Sequence, residues 1–224
     1  MGKTVVISLG GSIIYPDEPD YRLMEEFKGL IKEFINESNF IIYCGGGKLA
    51  RNLQKEASSK GDVSQEELDW IGIEATRKNA EMLKKVFGDI ASEKIIIDPT
   101  EEINIEKPVV IAAGWKPGWS TDYDAVLVAR NIGAKMVINM SNIDHVYDSD
   151  PNKNPDAKAL KSINWGEFRK LVGDSWEPGL NMPFDPIASK EAEKIGLKVV
   201  VIGKSLGNLK DVLEGKGFEG TVIE

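Results

Sequence analysis

One cysteine and one histidine among 224 residues remove several chemistries at the outset. A lone thiol cannot build an internal disulfide framework, which fits a reducing, cytoplasmic setting. The histidine, His145, has no His, Cys or acidic cluster around it at metal-ligand spacing, so a turn position is expected for it and no protein-held metal. Cys44 abuts a glycine run and reads as a small buried thiol, not a nucleophile. Long apolar runs are missing too. None approaches the roughly 18 residues of a membrane span, and the N-terminus enters a β-branched strand, Lys3-Thr-Val-Val-Ile-Ser-Leu9, in place of a leader. Positive charge is in deficit, with 28 basic against 36 acidic residues and a net charge of −8. With no basic tract or aromatic-basic strip to offset that field, nucleic acid is excluded as a partner. Linkers, low-complexity tracts and internal repeats are absent.

What is present is a globular composition, 42% hydrophobic and 29% charged, long enough for one large α/β domain or two closely packed lobes. Strand-length apolar runs at Thr4–Leu9, Phe40–Cys44, Lys94–Ile97, Pro108–Ala113, Lys135–Met140 and Lys198–Ile202 alternate with helical patterns. That alternation predicts a covered, largely parallel sheet. Leu23, Phe27, Leu30, Ile31, Phe34 and Ile35 fall on one face of a helix from Asp20, its N-cap, to Asn36. Ser64 and Glu67 form a capping box that opens a long helix. Asp185-Pro186 starts a later helix that Gly196 closes, and 124–131 reads as another. The Asp/Asn/Pro-rich stretch 148–154 reads as an ordered surface loop with a turn.

Open parallel sheets bind ligands beyond the carboxyl ends of their strands, so the strand-ending loops carry the functional signal. Four stand out. Ser8-Leu-Gly-Gly-Ser12 offers close backbone approach and a hydroxyl. Gly45-Gly-Gly-Lys-Leu-Ala-Arg51 places three glycines at a strand-to-helix junction, with Lys48 and Arg51 on the helix start; its spacing is not that of a P-loop. Gly114-Trp-Lys-Pro-Gly-Trp-Ser-Thr-Asp122 leaves a strand and enters a helix at Ser120 or Thr121, where free N–H groups meet an anion. Ser141-Asn-Ile-Asp-His-Val-Tyr-Asp-Ser-Asp150 can hold a purine and ribose or orient a metal-bound phosphate. Each has an ordinary alternative: a capped surface turn, a tight helix entry with solvated charges, or an Asp/Asn turn without function. Trp115 and Trp119 read equally as walls of a base pocket or as half-exposed packing.

Together with the helix segment Asp69-Trp-Ile-Gly-Ile-Glu-Ala-Thr-Arg-Lys-Asn-Ala80 and with Asp185-Pro-Ile-Ala188, these loops in this order resemble the amino-acid kinase family, and within it the archaeal-type UMP kinases. The resemblance covers nearly the whole chain. It implies a single domain over 1–224 with a three-layer αβα sandwich around a central, mainly parallel, eight-stranded sheet. The N-terminal part would bind the acceptor and the C-terminal part ATP. It implies UMP binding by Gly46, Asp69, Gly114, Trp115, Lys116, Pro117, Gly118, Trp119, Ser120 and Thr121, with Asp69 taking the ribose hydroxyls. ATP binding falls to Ser8, Gly10, Gly11, Ser12, Gly47, Arg51, Ser141, Asn142, Tyr147 and Asp150. Mg²⁺ arriving with ATP and a homo-oligomer, often a hexamer, are implied as well.

Several positions depart from the family pattern. Ser8 stands where many relatives carry lysine, which leaves Lys48, Arg51, Lys116 and Lys190 as candidates for the cation at the transferring phosphoryl group; the first three are the expected catalytic residues. Trp115 and Trp119 replace small or imidazole residues, His145 replaces a glycine, and Glu177-Pro-Gly-Leu-Asn-Met-Pro-Phe184 replaces a Gly/Ser-rich segment. The expected activity is phosphoryl transfer from ATP to UMP. The alternatives are a relative with another phosphate or carboxylate acceptor and a non-catalytic nucleotide-binding storage or regulatory protein.

Overall fold

The computed structural model describes residues 3–151, 153–173 and 182–224. In chain order the elements are β1 (Lys3–Leu9), α1 (Gly11–Ile14), α2 (Tyr21–Phe34), β2 (Ser38–Cys44), α3 (Gly47–Lys60), α4 (Gln65–Phe87), β3 (Val109–Ala112), α5 (Thr121–Ile132), β4 (Met136–Met140), β5 (Val146–Tyr147), β6 (Ala159–Leu160), β7 (Ser162–Ile163), α6 (Trp165–Val172), α7 (Pro186–Lys194), β8 (Lys198–Ile202), α8 (Leu206–Leu213) and β9 (Thr221–Ile223). The main sheet runs β3-β2-β1-β4-β8-β9-β7, and β5 and β6 form a separate hairpin. Among the described residues only the β8–β9 pairing in the main sheet is antiparallel. No helix among the described residues is long and apolar enough to cross a membrane.

Alternation along the strands builds the two faces. Val5, Ile7 and Leu9 of β1 and Phe40, Ile42 and Cys44 of β2 join one core layer, covered by α2, α4 and α8. Val6, Ile41 and Tyr43 join the opposite layer with residues of α5, α6 and α7. The same alternation turns Ser8 and Tyr43 toward the α5 side at the carboxyl end of the sheet, where polar groups replace aliphatic ones.

The helix caps follow the sequence. Asp20 accepts the Leu23 N–H, Ser64 and Glu67 form the reciprocal capping box, and Asp185 accepts the Ala188 N–H with Pro186 at the first helical position. The predicted helix 124–131 begins three residues earlier, because Ser120 caps it by accepting the Tyr123 N–H. The expected eighth strand is a correction. The main sheet of the described residues has seven strands, and the segment Lys94–Ile97 contributes only an isolated parallel bridge, Ile96 to Ala112, beside a second at Ala91. Its apolar run is three residues, Ile95 to Ile97, between Ser92-Glu93-Lys94 and Asp98-Pro99, and of these Ile96 makes the bridge, its N–H on the Ile111 carbonyl and its own carbonyl taking the Ala113 N–H, before Pro99 ends the segment. Short strands β7 and β9 extend the other edge; two and three residues carry too little periodicity to announce them.

Candidate active site

The chain winds outward from β1 through β2 to β3, then returns to place β4 on the other side of β1, so the sheet has its switch point between β1 and β4. A crevice opens there. A cavity of about 610 Å³ lies above these strand ends, lined by the loop after β1 (Ser8 to Ile13), the glycines 45–47, Arg51, Thr121, Asp122, Asn139 and the start of the loop after β4, Ser141 to Ile143. A second cavity of about 200 Å³ adjoins it under α4 and the 114–121 loop, bordered by Gln54, Asp69, Gly72, Ile73, Thr76, Gly114 and Trp119. Both linings include Gly46, Gly47, Arg51 and Thr121. The two cavities meet at that group.

Most expected site residues come together at these linings. Ser8, Gly10, Gly11, Ser12, Gly47, Arg51, Ser141 and Asn142 line the larger cavity, and Gly46, Asp69, Gly114, Trp119, Ser120 and Thr121 the smaller. Arg51 projects from α3 with its guanidinium donating to Ser12 Oγ at 3.2 Å. Others stand apart from both linings. Lys48 is paired with Asp17, and Lys116 lies over the Trp115 ring with Nζ 3.7 Å from the centroid. The Asp98 carboxyl is held below its usual range chiefly by the Thr100 hydroxyl that donates to it. Pro117 and Lys190 lie on neither lining, nor do Tyr147 in the β5–β6 hairpin and Asp150 in the turn after it. His145 sits beside Glu219, 3.5 Å away. Residues 177–181 of the atypical segment lie outside the described residues; Met182 and Pro183 border the larger cavity.

The 114–121 loop departs from a bare anion cradle. Three of its N–H groups are already bonded within the protein: Gly114 to Thr76 Oγ1 at 2.8 Å, Trp115 to Asp124 Oδ2 at 3.1 Å and Gly118 to Asp69 Oδ2 at 2.8 Å. Gly118 has φ +83°, the left-handed geometry that aims its N–H at Asp69. The loop is a shaped wall. At the starts of α3 and α5, Gly46, Gly47 and Thr121 border both cavities, and helix N-termini there carry partial positive charge. Of the two tryptophans only Trp119 faces the smaller cavity, stacked on Tyr123 at 4.3 Å and 16°.

Sequence reasoning missed a polar layer beneath the site. Asp122 Oδ1 accepts from Ser8 Oγ at 2.7 Å and Asn139 Nδ2 at 2.9 Å. Asn79, fully buried on α4, donates to the Gly45 carbonyl at 2.8 Å and holds the glycine run from behind. Asp124 and Asp185 are buried as well. Burial pushes Asp122 up to about 6 and Asp124 up to about 8, with Asp185 shifted the same way by the same cause. A signal existed in the sequence: Asp124 falls on the inward face of α5 among Ala125, Val126, Val128 and Ala129, where a carboxylate is out of place. Burial also pushes the Cys44 thiol up, as for an inert packed sulfur.

These shifts fix the sign of a pH effect. Between an unfolded value near 3.9 and the raised folded values, the folded state binds more protons than the unfolded one, so stability falls as pH rises. The Asp122 share is lost by about pH 6 and the Asp124 share continues to about pH 8. The ligand-free protein is expected to lose roughly 2–3 kcal/mol of unfolding free energy between pH 6 and 8.5, read from urea midpoints. Asp124→Asn should flatten that slope. A midpoint constant or rising over this range would contradict the placement of a buried carboxyl at 124.

Comparison with known proteins agrees with this geometry. The amino acid kinase family profile matches residues 3–203. A uridylate kinase of Pyrococcus abyssi is 33% identical over 98% of this chain and 99% of its own length. One from Thermoplasma volcanium is 36% identical over 100% of this chain and 99% of its own. The crystal structure of uridylate kinase from Archaeoglobus fulgidus superposes with a TM-score of 0.85 at 33% identity, covering 99% of this chain and 100% of that one. A seven-stranded, mainly parallel sheet with paired cavities over its glycine-rich strand ends, matched along nearly its whole length, places this chain in the amino acid kinase family.

Proposed function

We propose that this protein transfers the γ-phosphoryl group of ATP to UMP, giving UDP. The observation that carries the reading is the junction of the two cavities at Gly46, Gly47, Arg51 and Thr121. A donor in the larger cavity and an acceptor in the smaller one would bring their phosphates head to head at that group. Phosphoryl transfer asks the protein for in-line positioning and for charge stabilisation, not for covalent participation. Gly46 and Gly47 offer backbone amides at the start of α3, and the Arg51 guanidinium faces both phosphate groups. No general base is required, because the acceptor phosphate is already an anion at neutral pH. Asp69, with one oxygen on Gly118 and the other taking a 3.1 Å bond from Gln65, keeps further lone pairs for the ribose hydroxyls.

The donor set bears on the metal. Among the described residues no group of three His, Cys, Asp or Glu side chains forms a metal cage. Asp122 is the one carboxylate on the larger lining. Such a set fits Mg²⁺ that arrives on the triphosphate and keeps its water shell, with Asp122 facing that shell. The ion would neutralise phosphate charge during transfer. The reading also includes a cytoplasmic homo-oligomer of up to six copies, a mass that light scattering measures.

Incubation with Mg-ATP and a panel of nucleoside monophosphates, carbamate and amino acids tests the assignment. UMP is expected to turn over fastest. A different acceptor preferred by tenfold or more would overturn it, and ATP binding with no transfer to any acceptor would favour the storage or regulatory alternative.

A further inference from the structure

We infer that Asp124 is a positioning residue for the acceptor: without touching it, the Asp124 carboxyl holds the 114–121 loop in the shape that receives the phosphate-bearing substrate. The inference rests on the reading of the smaller cavity as the acceptor pocket. Asp124 sits on the first turn of α5 with no exposed surface, among small aliphatic neighbours. Packing alone does not call for a carboxyl there, since valine would fill the place without desolvating a polar group. Its Oδ2 accepts the Trp115 N–H, while Oδ1 is buried and, among the described residues, has no hydrogen-bond partner. The Tyr43 hydroxyl, also fully buried on the same side of the sheet, has no partner among them either. A polar knot with unmet hydrogen-bonding capacity persists under an otherwise apolar layer. Such a knot points to a task other than stability.

That task is visible in Trp115. Its backbone N–H is held inward by Asp124, its carbonyl accepts from the Arg77 guanidinium at 3.5 Å, and Lys116 lies across the ring. Fixed from both ends, Trp115 and Lys116 stay off the lining of the smaller cavity and leave Trp119 as its aromatic wall. The Thr76 bond to Gly114 and the Asp69 bond to Gly118 fix the flanks, and in the turn between them Asp124 holds the Trp115 N–H while Arg77 reaches the Trp115 carbonyl. Releasing the Trp115 N–H would free that turn next to the acceptor and leave the glycine loops of the larger cavity as they are.

Steady-state kinetics with UMP and Mg-ATP test this. Asp124→Val, which removes the acceptor of the Trp115 N–H, is expected to raise the KM for UMP about tenfold, with kcat and the KM for ATP within about twofold. Asp124→Asn keeps an oxygen that can accept the same N–H and is expected to stay within about threefold of wild type in all three. Hydrogen exchange on the wild-type protein adds a readout that needs no variant: the Trp115 amide should exchange at least tenfold slower than an unstructured one. An unprotected Trp115 amide would overturn the inference. So would Asp124→Val with an unchanged KM for UMP, or with both KM values shifted together as a general loss of structure would give. If the wild-type protein fails to phosphorylate UMP, the proposed function falls first, and the kinetic arms never come into play; unchanged acceptor affinity in a working enzyme overturns the Asp124 role alone.

Discussion

Arg51→Ala is expected to lower kcat/KM for UMP phosphorylation about a thousandfold while leaving the protein folded. The transferring phosphoryl group spreads negative charge over its oxygens, and a cation held against it contributes on the order of 10³–10⁵ in rate in enzymes that use an arginine this way. Here Ser8, next to last in β1, supplies no charge, and its hydroxyl is donated to Asp122. Among the described residues Arg51 is the one basic side chain on the lining of either cavity, and it borders both. The start of α3 adds partial positive charge from its N–H groups but not a full cation. Because Arg51 is exposed, its truncation should shift stability by no more than about 0.5 kcal/mol, so a loss of activity reports on the site. Arg51→Lys retains the charge without the planar fork and should fall between the two. Lys48→Ala and Lys116→Ala provide the contrast: one lysine is engaged by Asp17 and the other lies over Trp115, so each should cost less than tenfold. Turnover of Arg51→Ala within tenfold of wild type would move the role to another cation.

How far the sequence reaches is clearest where the structure diverges from it. Caps at Asp20, Ser64 and Asp185 were legible because each is a local pattern of side chain and N–H within three residues. The placing of functional loops at strand ends was legible for the same reason: a glycine cluster after an apolar run has few other uses. What stayed hidden depends on non-local partners. Nothing near Gly114 shows that Thr76, 38 positions away, takes its N–H, or that Asp69 takes that of Gly118 across 49 positions. The loop therefore read as an open cradle when three of its N–H groups, those of Gly114, Trp115 and Gly118, are already committed. The three lysine and arginine candidates looked equivalent in sequence; only packing separates Arg51, at the junction, from Lys48 and Lys116, each drawn to a different neighbour. The edge of the sheet failed differently. A run of three isoleucines carries strand propensity, yet only Ile96 bridges to β3 before Asp98-Pro99 ends the segment, so propensity alone does not make a ladder.

The glycines of the first two loops carry the second large prediction, and they change the meaning of a pattern that reads as phosphate binding. A methyl group on Gly11 would lie 2.2 Å from the Gly45 carbonyl oxygen and 2.5 Å from backbone atoms of Gly46 and Gly47. One on Gly47 would lie 2.2 Å from the Ser12 nitrogen and 2.3 Å from the Gly11 carbonyl carbon, at φ +56° besides. All of these neighbours are backbone, so no side chain can swing away. The loops after β1 and β2 are thus pressed against each other, joined by the Gly45 N–H to Leu9 at 2.9 Å and braced by Asn79. Their glycines serve this mutual contact first, and the contact places the α3 amides and Arg51 at the junction of the cavities. Gly11→Ala is expected to destabilise the protein by about 3 kcal/mol or more and to reduce turnover at least a hundredfold, because relief requires the loops to separate at the site of transfer. Gly118→Ala, strained by its φ but with nothing within 4 Å, should cost only about 1 kcal/mol. Gly29→Ala, inside α2 with open space around it, should stabilise by roughly 0.5–1 kcal/mol and leave turnover alone. Urea midpoints and initial rates on the three variants order these effects, and a Gly11→Ala protein as stable and active as Gly29→Ala would show that the two loops do not meet backbone to backbone.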